Sequence, residues 1–239
     1  QINLAIAGIA VGAVSLPVLS KAFKTKNLKK ISNIQNKSFE LSLLLSVPAS
    51  FGLILASEEI TSALFGYGAF DLKSVKYSAN ALYYFAYGLP AFALIKIFSS
   101  FLFARHNTNV PFYISLISVF INILISIIFF NQVGFLIIPI ATTLSSWFNA
   151  IILYFYLVRF DYYVFSSKNI FPFLKIICSS SLSTYVFHLL ILNFSEKLNY
   201  DSEYKLLIIF VIVFITFIVY LVFSFLIKTF KINDINLKY

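Results

Sequence analysis

The chain is a succession of apolar runs, most of them near the roughly 20 residues that carry an α-helix across about 30 Å of hydrocarbon. Seven blocks can be drawn: Gln1 to about Leu19, Glu40 to Ala56, Tyr77 to Phe103, Phe112 to Phe130, Phe135 to Val158, Ile170 to Leu192 and Tyr204 to Ile227. Hydrophobic residues make up 60% of the sequence and charged residues 11%, against about 45–50% and 25% in soluble domains. Within lipid each backbone N–H and C=O must find its partner inside the protein, so runs of this length predict spanning helices. The sequence lacks the alternating segments of about ten residues that build an outer-membrane barrel. The expected fold is an all-α polytopic transmembrane bundle of about seven helices.

Charge then orients the bundle. The formal net charge is +9, but the cations sit in short connections between apolar blocks, which argues for membrane orientation and against a nucleic-acid partner. Alternating sides along the chain puts Lys21, Lys24, Lys26, Lys29, Lys30, Lys37, Arg105, Arg159, Lys168, Lys175, Lys228, Lys231 and Lys238 on one side. The other side holds Lys73, Lys76, Lys197 and Lys205 beside Glu58, Glu59, Asp71, Glu196, Asp201 and Glu203. The positive-inside rule places the first loop, Ser20 to Phe39, and the C-terminal tail in the cytoplasm. The loop's lysines serve as an orientation signal and, secondarily, as a hold on anionic membrane lipids. The sequence contains no Met, and it opens with Gln1-Ile-Asn-Leu running straight into apolar residues. Both features predict a fragment whose first helix is truncated.

One cation departs from this pattern. Lys96 lies deep inside the third block, preceded by Gly88 and Pro90 in the same run. An ammonium at bilayer depth is costly, so such residues usually face a bundle interior or a water-filled cavity and often mark a substrate path. The other reading is snorkelling toward Arg105, eight residues on and about 12 Å along a helix axis. On this residue alone both readings stand. Gly88 and Pro90 loosen the helix ladder, and Pro48 does the same in the second block, so these three residues are candidate kinks or hinges.

The remaining motifs have simpler readings. Asp71, after the glycine-spaced Phe65-Gly66-Tyr67-Gly68-Ala69-Phe70, reads as an N-cap leading into the third block. Ser179, Ser180, Ser181 and Ser183 are small residues that let membrane helices approach closely, and His188, one turn beyond, reads as an interior histidine. Asn122, Ser145 and Asn149 are interhelical hydrogen-bond candidates. The lone cysteine, Cys178, has no intramolecular partner, and with His106 and His188 it makes no metal-ligand spacing. Neither a nucleophile elbow nor a zinc-protease helix motif appears, nor a pair of carboxylates within the spans, so no catalytic constellation, cofactor or metal is expected. The chain reads as a carrier component, not an enzyme.

Several stretches together resemble one family. Leu16-Pro17-Val18-Leu19-Ser20-Lys21, Leu44-Leu45-Ser46-Val47-Pro48-Ala49, Leu64-Phe65-Gly66-Tyr67-Gly68-Ala69-Phe70, Gly88-Leu89-Pro90-Ala91 with Lys96, and Phe103-Ala104-Arg105-His106-Asn107-Thr108-Asn109-Val110-Pro111 match the MurJ/MviN lipid II flippase family in order and spacing. The resemblance is specific from about Ala5 to Arg159. It implies membership of the exporter superfamily that also holds multidrug antiporters and polysaccharide-unit flippases. Family members have fourteen helices in two lobes; this chain resembles the C-terminal part, from within the eighth helix to beyond the fourteenth. The implied division is residues 1–158 as a MATE-like C-terminal lobe and residues 159–239 as two further helices with a cytoplasmic tail.

The implied function is movement of the undecaprenyl-pyrophosphate-linked peptidoglycan precursor across the bacterial inner membrane, from cytoplasmic to periplasmic leaflet, by alternating access. The implied partners are that precursor, membrane lipids and the missing N-terminal half, where the family's cavity arginines lie. Under the resemblance Lys96 becomes a substrate-binding candidate, and the last two helices form a hydrophobic groove for the lipid tail. Arg105 remains a cytoplasmic-loop residue acting as hinge or orientation signal, because the Arg105-His106-Asn107-Thr108-Asn109 loop carries less charge than in many relatives. Two alternatives stand beside this reading: a polysaccharide-unit flippase of the same superfamily, and a membrane scaffold with no transport path.

Overall fold

The computed structural model describes residues 11–25, 27–163, 170–227 and 229. The start of the first block, Lys26, Lys168 and the tail lysines Lys228, Lys231 and Lys238 lie outside the described residues. The described elements are helices joined by short turns: α1 (Val11–Lys24), α2 (Leu28–Leu55), α3 (Ser57–Phe65), α4 (Leu72–Ala86), α5 (Leu89–Phe103), α6 (Asn109–Val133), α7 (Ile137–Arg159), α8 (Ile170–Asn193) and α9 (Lys205–Leu226).

Four helical stretches are long and apolar enough to cross a membrane, and α4 with α5, bent by 44° at a short break, passes the same test when the two are taken together. One stretch, Asn109–Arg159, holds 51 residues, about 77 Å as a straight helix and far more than a bilayer needs. It folds back at Gly134, whose φ of 71° only glycine adopts freely. The returning helix pairs antiparallel: Asn122 donates to Thr142 Oγ1 (3.0 Å) and Ser145 Oγ (3.3 Å), while the earlier Ser115 meets the later Asn149 (3.3 Å). The asparagines therefore do the interhelical work expected of them.

The expected Ser20–Phe39 loop is corrected to helix. Asn27 caps α2, its side chain accepting from the Lys30 N–H at 2.9 Å. From there Ile31, Ile34, Gln35, Ser38 and Ser42 fall on one buried stripe while Lys29 and Lys30 point outward. The polar face of this amphipathic turn of helix had read as a loop. Helix α2 is thereby the longest element and the hub, packing against α1, α4, α5 and α8. Asp71 caps α4 as expected, accepting from Ser74 N–H at 2.8 Å; those hydrogen bonds hold its carboxyl below the usual aspartate range.

Two apolar cores result. The larger unites Leu19, Ile34, Leu43, Val47, Ile97, Phe98, Phe101 and Leu153 from α1, α2, α5 and α7, closed by Tyr163. The smaller joins Ala63, Phe187, Ile191, Ile209 and Ile212 from α3, α8 and α9 with Ala56 just before α3 and Leu198 between α8 and α9, at the opposite end. Helix α6 buries only Pro111, Ile114 and Ser118, and leaves most of its apolar surface exposed. Ser179, Ser180 and Ser183 are buried where α8 meets its neighbours, in keeping with close helix approach. His188 is corrected: it is exposed on α8.

Candidate functional site

The third block breaks at Tyr87–Gly88, and Pro90 enters at the first turn of α5, where its missing N–H costs nothing. The break frees three carbonyls within the apolar layer, and side chains from two other helices satisfy them. Ser50 of α2 donates to Ala86 O at 2.7 Å, while Thr143 and Trp147 of α7 donate to Tyr84 O at 2.8 Å and Tyr87 O at 3.0 Å. Ala86 is the residue four before Pro90, so its carbonyl is the one that proline leaves without a helical donor. Gly88 is packed so closely that an added Cβ would lie 3.0 Å from the Phe92 ring and from Thr143 Oγ1.

Pro48 follows the same logic without a break. Helix α2 runs on through it, and the carbonyl it orphans, Leu44 O, accepts from the Tyr220 hydroxyl of α9 at 2.7 Å. The two prolines thus create acceptors that tie α4–α5 to α2, and α2 to α9. Sequence reasoning located the prolines but missed the hydroxyls that answer them.

Lys96 lies two turns beyond the Gly88 break. Its backbone is covered by α1, where Gly12 packs so that an added Cβ would sit 3.7 Å from Lys96 O. Its side chain is exposed and makes no hydrogen bond or ion pair with any described residue. The flanking Ile97 and Phe98 are buried in the larger core, so α5 offers the ammonium on its one outward face.

Arg105 is elsewhere and differently employed. Its guanidinium donates to Phe101 O at 3.1 Å and Tyr162 O at 2.6 Å, and it lies over the rings of Phe23 (4.2 Å) and Tyr162 (4.6 Å). Gln35 donates to the same Tyr162 carbonyl at 2.9 Å. Partial burial lowers its pKa to about 10, which leaves it charged near neutral pH. The residue clamps α1, α2 and α5 to the chain after α7, and the structure does not bring it together with Lys96.

On the side of α8 and α9 a cavity of about 380 Å³ opens between α2, α3, α8 and α9, walled by Leu45, Pro48, Gly52, Phe187, Val213 and Phe217. Its lining is predominantly apolar, with Ser183, Thr184, Thr216 and Tyr220 its polar members. Thr216, Tyr220 and Ser224 recur every four residues along α9, and in an otherwise uniform helix that spacing marks the face turned to the protein. This was the signal by which the sequence could have oriented α9.

Comparison with known proteins supplies the family. A family model for the lipid II flippase MurJ matches residues 1–214. A probable lipid II flippase MurJ of Rickettsia prowazekii is 34% identical over 65% of this chain and 31% of its own length. The corresponding protein of Rhizobium tropici is 36% identical over 66% of this chain and 30% of its own. A solved structure of lipid II flippase MurJ in an inward closed conformation superposes with a TM-score of 0.75 at 25% identity, covering 95% of this chain and 44% of that one. The chain therefore spans about a third of the length of the curated relatives it matches. With a family match across most of its length and a multi-pass helical fold to agree with it, this chain belongs to the lipid II flippase MurJ family.

Proposed function

We propose that the chain is the C-terminal part of an inner-membrane flippase that carries lipid II from the cytoplasmic to the periplasmic leaflet by alternating access. The observation that carries this reading is Lys96: an ammonium within a spanning segment, exposed and without a partner among the described residues. Such a group is not stable against lipid, so the face it occupies belongs to a cavity completed by the rest of the protein. A pyrophosphate is the anion for it, because charge attraction strengthens greatly in a shielded site. The apolar cavity beside α8 and α9 would take part of the lipid tail.

In this reading residues 1–158 form the C-terminal lobe and residues 159–239 the two added helices and tail. The lysine-rich end faces the cytoplasm, and Gly88 with Pro90 forms the hinge of the carrier. An inside-negative potential favours outward passage of an anion by about 2.3 kcal/mol per charge per 100 mV. The test is Lys96→Ala in the full-length protein. Flipping of lipid II in reconstituted vesicles should be lost while insertion and thermal stability hold. Undiminished flipping would overturn the role of Lys96. Accumulation of a capsule or antigen unit, in place of lipid II, on depletion of the protein would overturn the substrate.

A further inference from the structure

Helix α9 begins on a buried cation. Lys205 is 1% exposed, although a positive charge at a helix N-terminus opposes the dipole and a buried ammonium loses its hydration. The surroundings answer both costs. Its Nζ donates to Gly66 O at 2.7 Å and Tyr200 O at 2.5 Å, and it lies 4.4 Å and 4.6 Å from the ring centres of Tyr67 and Tyr200. Carbonyls and aromatic faces together make a cage for an ammonium.

The cage is built from two distant pieces of chain. Gly66 and Tyr67 follow α3, while Tyr200 precedes α9 and fixes itself to the first piece by donating to Phe70 O at 2.9 Å. Gly66 has no room for a side chain: a Cβ would stand 2.6 Å from Ser62 O and 3.2 Å from the Tyr200 ring. Directly along α9 from Lys205 come Ile209 and Ile212, which fill the smaller core against Ala63, Phe187 and Leu198. Phe187, together with Ile60 and Val213, also walls the apolar cavity.

We infer that Lys205 is a latch: it pins the start of α9 into the Gly66–Phe70 turn and thereby holds closed the end of the apolar cavity remote from the lysine-rich connections. A methionine would fill the same space without donors, so the lysine's value is positional. It fixes the rotation and height of α9, and so where the α9 stripe of Ile209, Ile212, Thr216 and Tyr220 meets α2, α3 and α8. The inference concerns this end of the fold alone and stands whatever the substrate is.

The test uses full-length protein made cysteine-free, with Ala63→Cys as a reporter in the smaller core. Ile137→Cys, buried at the start of α7, serves as a control away from the latch. Lys205→Met should raise the labelling rate of the Ala63→Cys reporter by a water-soluble maleimide about tenfold or more, through local opening, and leave the control unchanged. Gly66→Ala should reproduce this with the lysine intact, and serves alone if Lys205→Met does not fold. An Ala63→Cys reporter that stays shielded in both variants overturns the latch. So does equal labelling at the two reporters, which would make Lys205 a general support of the fold.

Discussion

Lys96 and Lys205 are the same residue type in two spanning helices of one bundle, and the structure uses them in opposite ways. Lys205 is enclosed, with two carbonyls and two rings committed to its ammonium. Lys96 projects from α5 with no described partner. A cation held by two backbone carbonyls and two rings can position a helix but is closed to a ligand. A cation left open on the outward face of a helix whose other side buries Ile97 and Phe98 is available to one. What separates the two roles is the number of donors already used.

The contrast breaks most readily at Lys96. Replacing it with Ala in the full-length protein should lower flipping at least about 30-fold, the loss expected when one partner of a shielded charge pair is removed. Its melting temperature should stay unchanged, since no described contact is lost. Lys205→Met should do the reverse. Two orphaned carbonyls should cost about 2 kcal/mol or more of stability, visible as a lower melting temperature in detergent, with a smaller loss of flipping per folded molecule. If both variants lost activity with stability intact, the distinction would fail.

The hydroxyl ties carry smaller energies than either lysine. Ser50→Ala removes the donor to Ala86 O at the α4–α5 break and should cost about 1 kcal/mol, measured by thermal unfolding. Tyr220→Phe should behave alike at Leu44 O. Asn122→Leu, far from both lysines, should cost only about 0.6 kcal/mol, typical of interhelical hydrogen bonds within membranes. It should also leave the labelling of the Ala63→Cys reporter untouched.

Much of the fold was legible because span length and apolar content are local properties. The blocks from Phe112 to Phe130 and from Phe135 to Val158 emerge as α6 and α7 with Gly134 between them. The break announced by Gly88 and Pro90 occurs at those residues. The Ser20–Phe39 stretch was misread because its lysines mask a stripe whose burial depends on α1 and α5. His188 failed for the related reason that a helix apolar all round does not declare which face meets protein.

At the site, Lys96 stood out through its apolar neighbours. Lys205 did not, since a lysine at the end of a block looks like any interfacial charge. Its cage comes from Gly66 and Tyr67, far away in sequence, and only the four-residue spacing of Thr216, Tyr220 and Ser224 hinted at the stripe it heads.

The most direct measurement is the reactivity of Lys96→Cys in cysteine-free full-length protein toward a charged, water-soluble thiol reagent, with and without a lipid pyrophosphate. If Lys96 faces a watery substrate path, the cysteine reacts and the pyrophosphate lipid slows the reaction in a saturable way. Reaction only with membrane-soluble reagents, indifferent to the lipid pyrophosphate, would place Lys96 against the bilayer and remove it from any substrate path.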